Sequence, residues 1–567
     1  MPHVHFTTQN VSVSVPAGTR LLDAARQAGL AIEAPCDGMG SCGKCRAKVS
    51  ASSRSGLSEA DHELLTPLEG QAGWVLACQS TIQGDIEAAI ETAQSDGLKI
   101  LSDGLKVETE INPWITKIHL LPTGGTSSCK SPSSSAGATR VLAGDSLLAT
   151  EPGDTTEHLY GLAVDIGTTT LVVALNDLRD GRELAVASNL NPQARYAQDV
   201  LSRIKMGSKP EGLQALHGEL VAELNRLIGQ IIQQAGVSSR HIYEAVFSGN
   251  TTMLHLAAGV NPASLGKYPY TPALAGGSHV QAASIGLDIS PHGLVYLPPI
   301  MSAYVGADIT SGILATRLPS LSGVTLFVDI GTNGEMVLAT DGELTATSTA
   351  AGPAFEGMNI ACGMRAGRGA VEQVAFSGEG IQVKTIGGAE PVGVCGSGLL
   401  DAIGEMAAHR LLDKSGRFHA NGTLESRPWK DRWDFLNGSP IFRLAGPVYL
   451  SQKDVRQVQL AKAAIRAGID LMLRANDLEA AKVDRVLIAG SFGFHLRTSS
   501  LIHLGLLPRE FSNRVEFVGN TSKTGAQAFL LNRAVRDDLK SIVRKVRVLE
   551  LANDPAFEKT FVRALSF

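Results

Sequence analysis

Four of the seven cysteines are spaced as ligands of an iron–sulfur cluster would be. Cys36, Cys42 and Cys45 lie in PCDGMGSCGKC, and Cys78 follows in WVLACQS. A 2Fe–2S cluster takes four thiolates, commonly three from a C-x4-C-x2-C loop and one from a distant strand. The loop here is one residue longer. We predict a 2Fe–2S cluster at these cysteines; a four-cysteine zinc site and a redox-active Cys42–Cys45 pair are the alternatives.

A second motif occurs twice and could bind phosphate. LAVDIGTTTLVV at 162–173 and LFVDIGTNGEMV at 326–337 are identical at seven of twelve positions. Each predicts a strand and a tight hairpin whose backbone N–H groups and Thr hydroxyls face an anion. The Asp could hold Mg²⁺ through water, because Mg²⁺ keeps much of its hydration shell. The alternative is a duplicated hairpin without a ligand. The residues predicted to form this site are Asp165, Gly167, Thr168, Thr169, Thr170, Asp329, Gly331, Thr332, Asn333 and Glu335.

Further glycine-rich segments follow predicted strands in the same part of the chain. VLIAGSFGFHL at 486–496 is an apolar strand followed by Gly490, Ser491 and Gly493. AGPAFEGMNIACGMRAGRGA at 351–370 is a loop that carries Glu356, and SGNTTMLHL at 248–256 places polar residues at a strand end. These segments are expected to line one cleft with the repeated motif.

The elements around these motifs indicate separate domains. Alternation of valine and serine over residues 11–15 predicts a strand, and the apolar face over residues 21–28 predicts a helix. Ser58 and Asp61 indicate the start of a second helix. TGGTSSCKSPSSSAGAT at 123–139 has the composition of a flexible linker, and we expect it to tether the N-terminal module. Arg456, Lys462 and Arg466 indicate the solvated face of an amphipathic helix.

Composition narrows the class of protein. The chain has 567 residues, 50 Lys and Arg, 55 Asp and Glu, and a net charge of −5, so a basic nucleic-acid-binding surface is not expected. No apolar run is long enough for a transmembrane helix, and the N-terminus lacks the pattern of a secretory signal. An odd and sparse set of cysteines favours a reducing compartment, and we predict a cytoplasmic protein.

These motifs resemble two known families. Residues 1–94 resemble 2Fe–2S ferredoxins, which implies a β-grasp domain. Residues 159–567 resemble the actin-like ATPase superfamily of actin, sugar kinases and heat-shock chaperones, which implies two ribonuclease-H-like lobes at about 159–322 and 323–567. The resemblance makes the two DIGT segments phosphate motifs and the turn at 490–493 an adenosine motif. The expected fold is thus an α/β and α+β multidomain protein with a flexible linker or short middle segment at 95–158.

The combination closely resembles the reductive activators of corrinoid proteins, through CDGMGSCGKC, VDIGTTT, VDIGTNGE, AAGPAFEGMNI and GSFG. This resemblance implies ATP-dependent one-electron reduction of Co(II) to Co(I) in a corrinoid methyl-carrier protein. It also implies an external low-potential electron donor and a homodimer, with no membrane or nucleic-acid partner. Asp165, Asp329 and Glu335 are the candidate catalytic carboxylates, and Ser348 is a candidate for a hydroxyl that approaches cobalt.

One departure and two alternatives accompany this resemblance. Members of the family usually have a folded middle domain before the first phosphate motif, whereas only about 64 residues, 95–158, are available here. The alternatives are an ATP-dependent iron–sulfur activator of another reductase or dehydratase, and a non-enzymatic redox sensor switched by ATP.

Overall fold

A computed structural model describes residues 1–30, 32, 34, 38, 40, 43–50, 57–90, 104–105, 109–121, 137–419, 429–490 and 496–567. Of the predicted site residues, Cys36, Cys42, Ser491 and Gly493 lie outside these residues. Among the helices in the described ranges, none is long and apolar enough to cross a bilayer.

The N-terminal domain is a small mixed sheet with a helix packed on it. The strand order is β2-β1-β5-β3-β4, with β1 antiparallel to β2 and parallel to β5, as in a β-grasp domain. The predicted strand, helix and Ser58 helix start are confirmed, since Ser58 and Asp61 form a reciprocal capping box. The elements are β1 (His3–Phe6), β2 (Val11–Ser14), α1 (Leu21–Gln27), β3 (Arg46–Val49), α2 (Glu59–Leu64), α3 (Pro67–Gln71), β4 (Trp74–Leu76) and β5 (Ile86–Ile90).

A three-stranded antiparallel sheet follows, made of β6 (Ile115–Leu120), β7 (Ala138–Ala143) and β8 (Ser146–Pro152). Leu120 is the cross-strand partner of Ala138. The serine-rich segment predicted as the interdomain tether therefore joins two neighbouring strands of one sheet, and that prediction is wrong. Composition identified a connection but could not show which elements it connects.

The first lobe contains a six-stranded sheet of order β11-β10-β9-β12-β14-β13. The strand that ends in the first DIGT motif pairs antiparallel with β10 and parallel with β12. The long helix α5 buries its apolar stripe against this sheet. The elements are β9 (Tyr160–Ile166), β10 (Thr170–Asp177), β11 (Glu183–Leu190), α4 (Val200–Gly207), α5 (Pro210–Ala235), β12 (Ile242–Gly249), α6 (Thr251–Ala257), β13 (Ser278–Gln281), β14 (Leu294–Leu297) and α7 (Ala307–Ala315).

The second lobe repeats this arrangement in a sheet of order β25-β24-β15-β16-β17-β26. The strand that ends in the second DIGT motif again has an antiparallel hairpin partner, β16, and a parallel neighbour, β24. The repeat seen in the sequence is thus a repeat of structure. The sheet strands are β15 (Val324–Ile330), β16 (Gly334–Thr340), β17 (Glu343–Thr349), β24 (Arg485–Ala489), β25 (Val515–Gly519) and β26 (Arg547–Val548).

Two smaller three-stranded sheets and the helices α8 to α13 make up the rest of the described C-terminal part, and α11 among them packs against β9, β12 and α7 of the first lobe. The sheets have the orders β19-β18-β20 and β21-β22-β23. The elements are β18 (Ala370–Ser377), β19 (Gly380–Thr385), β20 (Gly393–Val394), α8 (Gly396–Ala408), β21 (Trp433–Leu436), β22 (Ser439–Ala445), β23 (Val448–Ser451), α9 (Gln452–Ala475), α10 (Thr498–His503), α11 (Thr521–Leu531), α12 (Ala534–Val543) and α13 (Phe557–Ala564).

One hydrophobic core is shared by both lobes. It contains Val246 of β12, Ile309 of α7, Phe327 of β15 and Phe529 of α11, and α7 packs against α11. α11 starts directly after β25, and Asn520 and Ser522 at its N-terminus contact Asp165 of the first DIGT motif.

Candidate functional site

Each DIGT hairpin is closed by a hydrogen bond from the backbone N–H of its glycine. The Gly167 N–H donates to the Thr170 carbonyl, and the Gly331 N–H donates to the Asn333 carbonyl, each over 2.9 Å. A Cβ at Gly167 would lie 2.7 Å from the Thr170 carbonyl oxygen, whereas a Cβ at Gly331 would find room. A side chain is therefore sterically excluded at Gly167 but not at Gly331.

Asp165 of the first motif is held by the start of α11. Its two carboxylate oxygens accept hydrogen bonds from Asn520 Nδ2 over 2.8 Å and from Ser522 Oγ over 2.7 Å. Burial raises the pKa of Asp165, while these hydrogen bonds and the Lys523 charge oppose that rise. The first motif is thus completed by residues more than 350 positions away in sequence.

Three further carboxylates, those of Asp308, Asp329 and Glu335, interact electrostatically with Asp165 or with one another. Burial and the charges of Asp308 and Asp165 raise the pKa of Asp329 to about 8. Burial and the charge of Asp165 raise the pKa of Asp308 to about 7, against a hydrogen bond from the Ile309 N–H. Burial, together with Asp308 and Asp329, also raises the pKa of Glu335 well above its ordinary value. The structure therefore brings the three predicted carboxylates together and adds Asp308.

This acidic group is suited to a hydrated divalent cation. Within the described ranges, no three His, Cys, Asp or Glu side chains already converge as a direct metal site. Mg²⁺ however usually keeps several waters and binds through one or two carboxylates and substrate phosphates. A cation between these carboxylates would offset the repulsion that raises their pKa values.

Sequence reasoning missed Asp308, Asn520 and Ser522. A signal for the last two was present, because G-N-T-T at 249–252 recurs as G-N-T-S at 519–522. Both copies end a strand and begin a helix that is capped by its Asn side chain. Asp308 has a weaker signal: it is the second residue of α7, after Gly306.

Thr168 of the first hairpin is fixed from two sides. Its Oγ1 accepts a hydrogen bond from Asn250 Nδ2 over 3.0 Å, and its carbonyl accepts one from Arg203 over 2.7 Å. Arg203 is fully buried, and burial lowers its pKa to about 9. These contacts fix the position of Thr168 in the first hairpin.

Glu356 connects the two hairpins directly. Thr169 Oγ1 of the first copy donates to Glu356 Oε2 over 2.5 Å, and Thr332 Oγ1 of the second donates to Glu356 Oε1. One carboxylate of the 351–370 loop therefore engages a hydroxyl from each phosphate motif.

The other predicted residues lie close to this site. Gly490 has a φ of 113°, and a Cβ there would lie 2.2 Å from the Ile330 carbonyl oxygen, so the turn after β24 passes tightly over the second motif. Ser348 is the cross-strand partner of Glu335. Thr170 and Asn333 accept the hairpin hydrogen bonds through their carbonyls.

The cysteine site is partly described. Cys45 and Cys78 are buried, and the Ala77 N–H donates to the Cys45 carbonyl over 2.7 Å. Gly38, Gly40 and Gly43 have φ values of 82°, 74° and 67°, which side chains rarely adopt. The loop therefore turns through left-handed glycines around two buried thiols, and this arrangement fits four-thiolate ligation of a 2Fe–2S cluster.

The N-terminal domain contacts the second lobe. Lys44, which lies between Cys42 and Cys45 in sequence, donates to the Ala361 carbonyl over 3.1 Å and to the Gly363 carbonyl over 2.6 Å. Asn437 donates to the Leu65 carbonyl over 3.4 Å. The cluster loop thus lies against the segment that also carries Glu356.

Comparison with known families agrees with this geometry. Residues 4–83 match the 2Fe–2S iron–sulfur cluster binding domain. Residues 160–320 match the RACo middle region, and residues 323–567 match the C-terminal domain of RACo, the ASKHA domain. The fold and the site therefore define a ferredoxin-type iron–sulfur protein fused to an ATPase of the actin-like, or ASKHA, class.

More specific similarities extend over most of the chain. This chain is 34% identical over 438 residues to the corrinoid activation enzyme RamQ of Eubacterium limosum. The alignment covers 75% of this chain and 74% of RamQ. It is 26% identical over 298 residues to a Co(II) methylated amine-specific corrinoid protein reductase of Methanosarcina barkeri, covering 48% and 51%. This chain belongs to the family of corrinoid-activating iron–sulfur ATPases.

A solved structure has the same architecture. The reductive activator for corrinoid, iron–sulfur protein superposes with a TM-score of 0.73 at 33% identity, covering 100% of this chain and 98% of that chain. Almost the whole of both chains is covered, and a shortened segment before the first phosphate motif stays a prediction. The matched middle region begins at residue 160 and is the first lobe itself.

Proposed function

We propose that this protein uses ATP to return a corrinoid protein from the inactive Co(II) state to Co(I) by one-electron transfer. The observation that carries the proposal is the contact of Lys44 with Ala361 and Gly363. It brings the cluster-binding sequence to the loop whose Glu356 joins the two phosphate motifs. The similarity to the corrinoid activation enzyme RamQ and to the Methanosarcina barkeri corrinoid protein reductase supports the same reaction.

Each group of residues has a distinct task in this proposal. Cys36, Cys42, Cys45 and Cys78 hold the 2Fe–2S cluster, which when bound supplies one electron for each Co(II) reduced. The hairpin N–H groups and the hydroxyls of Thr168, Thr169, Thr170 and Thr332 bind the phosphates of ATP. The adenosine lies along the turn at Gly490, Ser491 and Gly493.

The carboxylates at the triphosphate position the attacking water and bind hydrated Mg²⁺. Asp165, which Asn520 and Ser522 orient, is placed to position the water that attacks the terminal phosphorus, and Asp329 and Glu335 hold hydrated Mg²⁺ with Asp308. Hydrolysis consumes ATP and water and yields ADP and phosphate. Ser348 is the proposed hydroxyl that approaches cobalt.

Several further features belong to the proposal. An external low-potential donor re-reduces the cluster, the working unit is a homodimer, and the protein is cytoplasmic. We divide the chain into a ferredoxin-type domain at 1–94, a connecting segment at 95–158 that includes the small sheet, and an ATPase domain at 159–567.

The test is anaerobic. Reconstituted protein is mixed with a reductant and a Co(II) corrinoid protein, with and without Mg²⁺ and ATP, and the Co(I) absorption band is followed. We expect Co(I) to form with ATP, and the corrinoid protein to stimulate ATP turnover. Equal Co(I) formation without ATP would contradict the proposal.

Asp165→Asn is the matched control, because it removes one charge at nearly constant volume. We expect it to stop ATP turnover and Co(I) formation and to leave the visible spectrum of the cluster unchanged. An activator of another reductase would turn over ATP without any response to the corrinoid protein. A redox sensor would bind ATP without turnover coupled to cobalt reduction.

A further inference from the structure

The surface that receives the cluster loop is also part of the nucleotide site. Lys44 donates to the carbonyls of Ala361 and Gly363, and five residues before Ala361 the same segment carries Glu356. A cavity of about 250 Å³ is lined by Lys44, Glu356 and Gly363. We name residues 356–363 the docking segment.

The docking segment is packed tightly enough to transmit a displacement. A Cβ at Gly363 would lie 2.1 Å from the Gly357 carbonyl oxygen, so the two ends of the segment touch backbone to backbone. The Gly363 N–H donates to the Ile360 carbonyl over 3.0 Å. A displacement of the backbone at Glu356 and Gly357 would therefore reach the carbonyls that Lys44 contacts.

Phosphate and Glu356 compete for the same donors. Thr169 and Thr332 each give their hydroxyl proton to Glu356, and a hydroxyl has one proton to donate. A triphosphate between the hairpins would take these hydrogen bonds and repel the Glu356 carboxylate. The bridge through Glu356 and a bound triphosphate thus exclude each other.

We propose that the docking segment is the intramolecular binding surface for the ferredoxin-type domain, and that ATP and this domain compete through Glu356. ATP binding displaces Glu356, shifts Ala361 and Gly363, and releases Lys44. Because coupling between two sites is reciprocal, loss of the Lys44 contact must tighten nucleotide binding. The inference rests on the nucleotide site of the proposed function.

The first test compares the affinity for Mg²⁺ and AMP-PNP in the full chain and in Lys44→Gln by calorimetry. Lys48→Gln is the matched control, because Lys48 is an exposed lysine four residues away in β3. We expect Lys44→Gln to bind the nucleotide about fivefold or more tightly, with no change for Lys48→Gln. Equal affinity in Lys44→Gln and the unmodified protein overturns the inference, whereas no nucleotide binding by the unmodified protein overturns the proposed function.

The second test needs no variant. The rate at which an N-hydroxysuccinimide ester acylates Lys44 is measured by mass spectrometry with and without AMP-PNP, and Lys48 is the internal reference. We expect nucleotide to increase the rate at Lys44 severalfold relative to Lys48. An unchanged ratio in protein that demonstrably binds AMP-PNP overturns the inference.

Discussion

Ser522 Oγ donates a hydrogen bond to Asp165 Oδ1 over 2.7 Å. The Asp165 carboxylate of the first phosphate motif is therefore oriented by the N-terminus of α11, a helix that packs against β9, β12 and α7 of the first lobe. The orientation of Asp165 therefore depends on the packing of α11 against β9 and β12.

We predict that Ser522→Ala lowers the ATPase kcat/KM about tenfold at pH 6.5, because a hydrogen bond to a charged group contributes about 1.5–3 kcal/mol. Losing this donor raises the pKa of Asp165 further, so the acidic limb of the pH–rate profile moves to higher pH. Activity should therefore recover in part at pH 8.5. Steady-state kinetics across pH measures both effects.

Ser311→Ala is the control for that variant. Ser248 Oγ contacts both Ser311 Oγ and Ser522 Oγ over 2.8 Å, so Ser311→Ala alters the same hydroxyl chain without touching Asp165. An identical shift of the pH profile in both variants would show that Ser522 acts only through packing.

We predict that binding of Mg²⁺ and ATP releases protons near neutral pH. The pKa of Asp308 is about 7 and that of Asp329 about 8, so both carry protons over part of this range, and a cation favours their charged forms. Affinity should rise as pH increases from about 6 to 9. Calorimetry in two buffers of different ionisation enthalpy measures the release, and identical apparent enthalpies would contradict the prediction.

We predict that Asp329→Asn stabilises the nucleotide-free protein at pH 8 more than at pH 5. The folded pKa of Asp329 is raised from 3.8 to about 8, so the folded state binds more protons than the unfolded state between these values. Stability is therefore lost as pH rises through this window, and the neutral amide removes that loss. Thermal unfolding of both proteins at pH 5 and pH 8 tests this prediction. At pH 8 we expect the melting temperature of Asp329→Asn to rise by roughly 2–4 °C for each kcal/mol of added stability.

We predict that Gly490→Ala destabilises the second lobe by about 1–3 kcal/mol, since its φ is 113° and its Cβ would meet the Ile330 carbonyl oxygen. Nucleotide binding should weaken with it. Gly229→Ala is the matched substitution, because Gly229 lies in the interior of α5 with no atom within 4 Å of its Cβ. Gly229→Ala should raise the free energy of unfolding by about 0.5–1 kcal/mol. Urea unfolding of both variants measures these changes, and equal effects at the two positions would contradict the prediction.

The sequence predicted those parts of the site that are local in the chain. Asp165 and Asp329 each sit in a motif that contains its own strand, turn and hydroxyls, so twelve residues define the chemistry. Asp308 and Ser522 instead reach the site through the packing of α7 against α11. No short segment contains that packing, and its residues were found only in the folded chain.

Lys462 shows that helical periodicity alone does not predict which side chains of a helix are buried. It was predicted on a solvated helix face, but it is fully buried and donates to the Ser566 carbonyl over 2.5 Å, which corrects the prediction. Burial lowers its pKa to about 7. The face of α9 that carries it is covered by the C-terminal residues, and helical spacing alone gives no information about such a cover.

The pairing of Leu120 with Ala138 has a practical consequence. The chain leaves and re-enters one small sheet at adjacent points. Residues 122–136 can therefore be exchanged for a tight two-residue turn, or can receive a fluorescent reporter. Neither change alters the distance between the ferredoxin-type domain and the ATPase lobes. The two modules are joined upstream of Gly104, which already pairs with Gly519, and engineering of their separation belongs there.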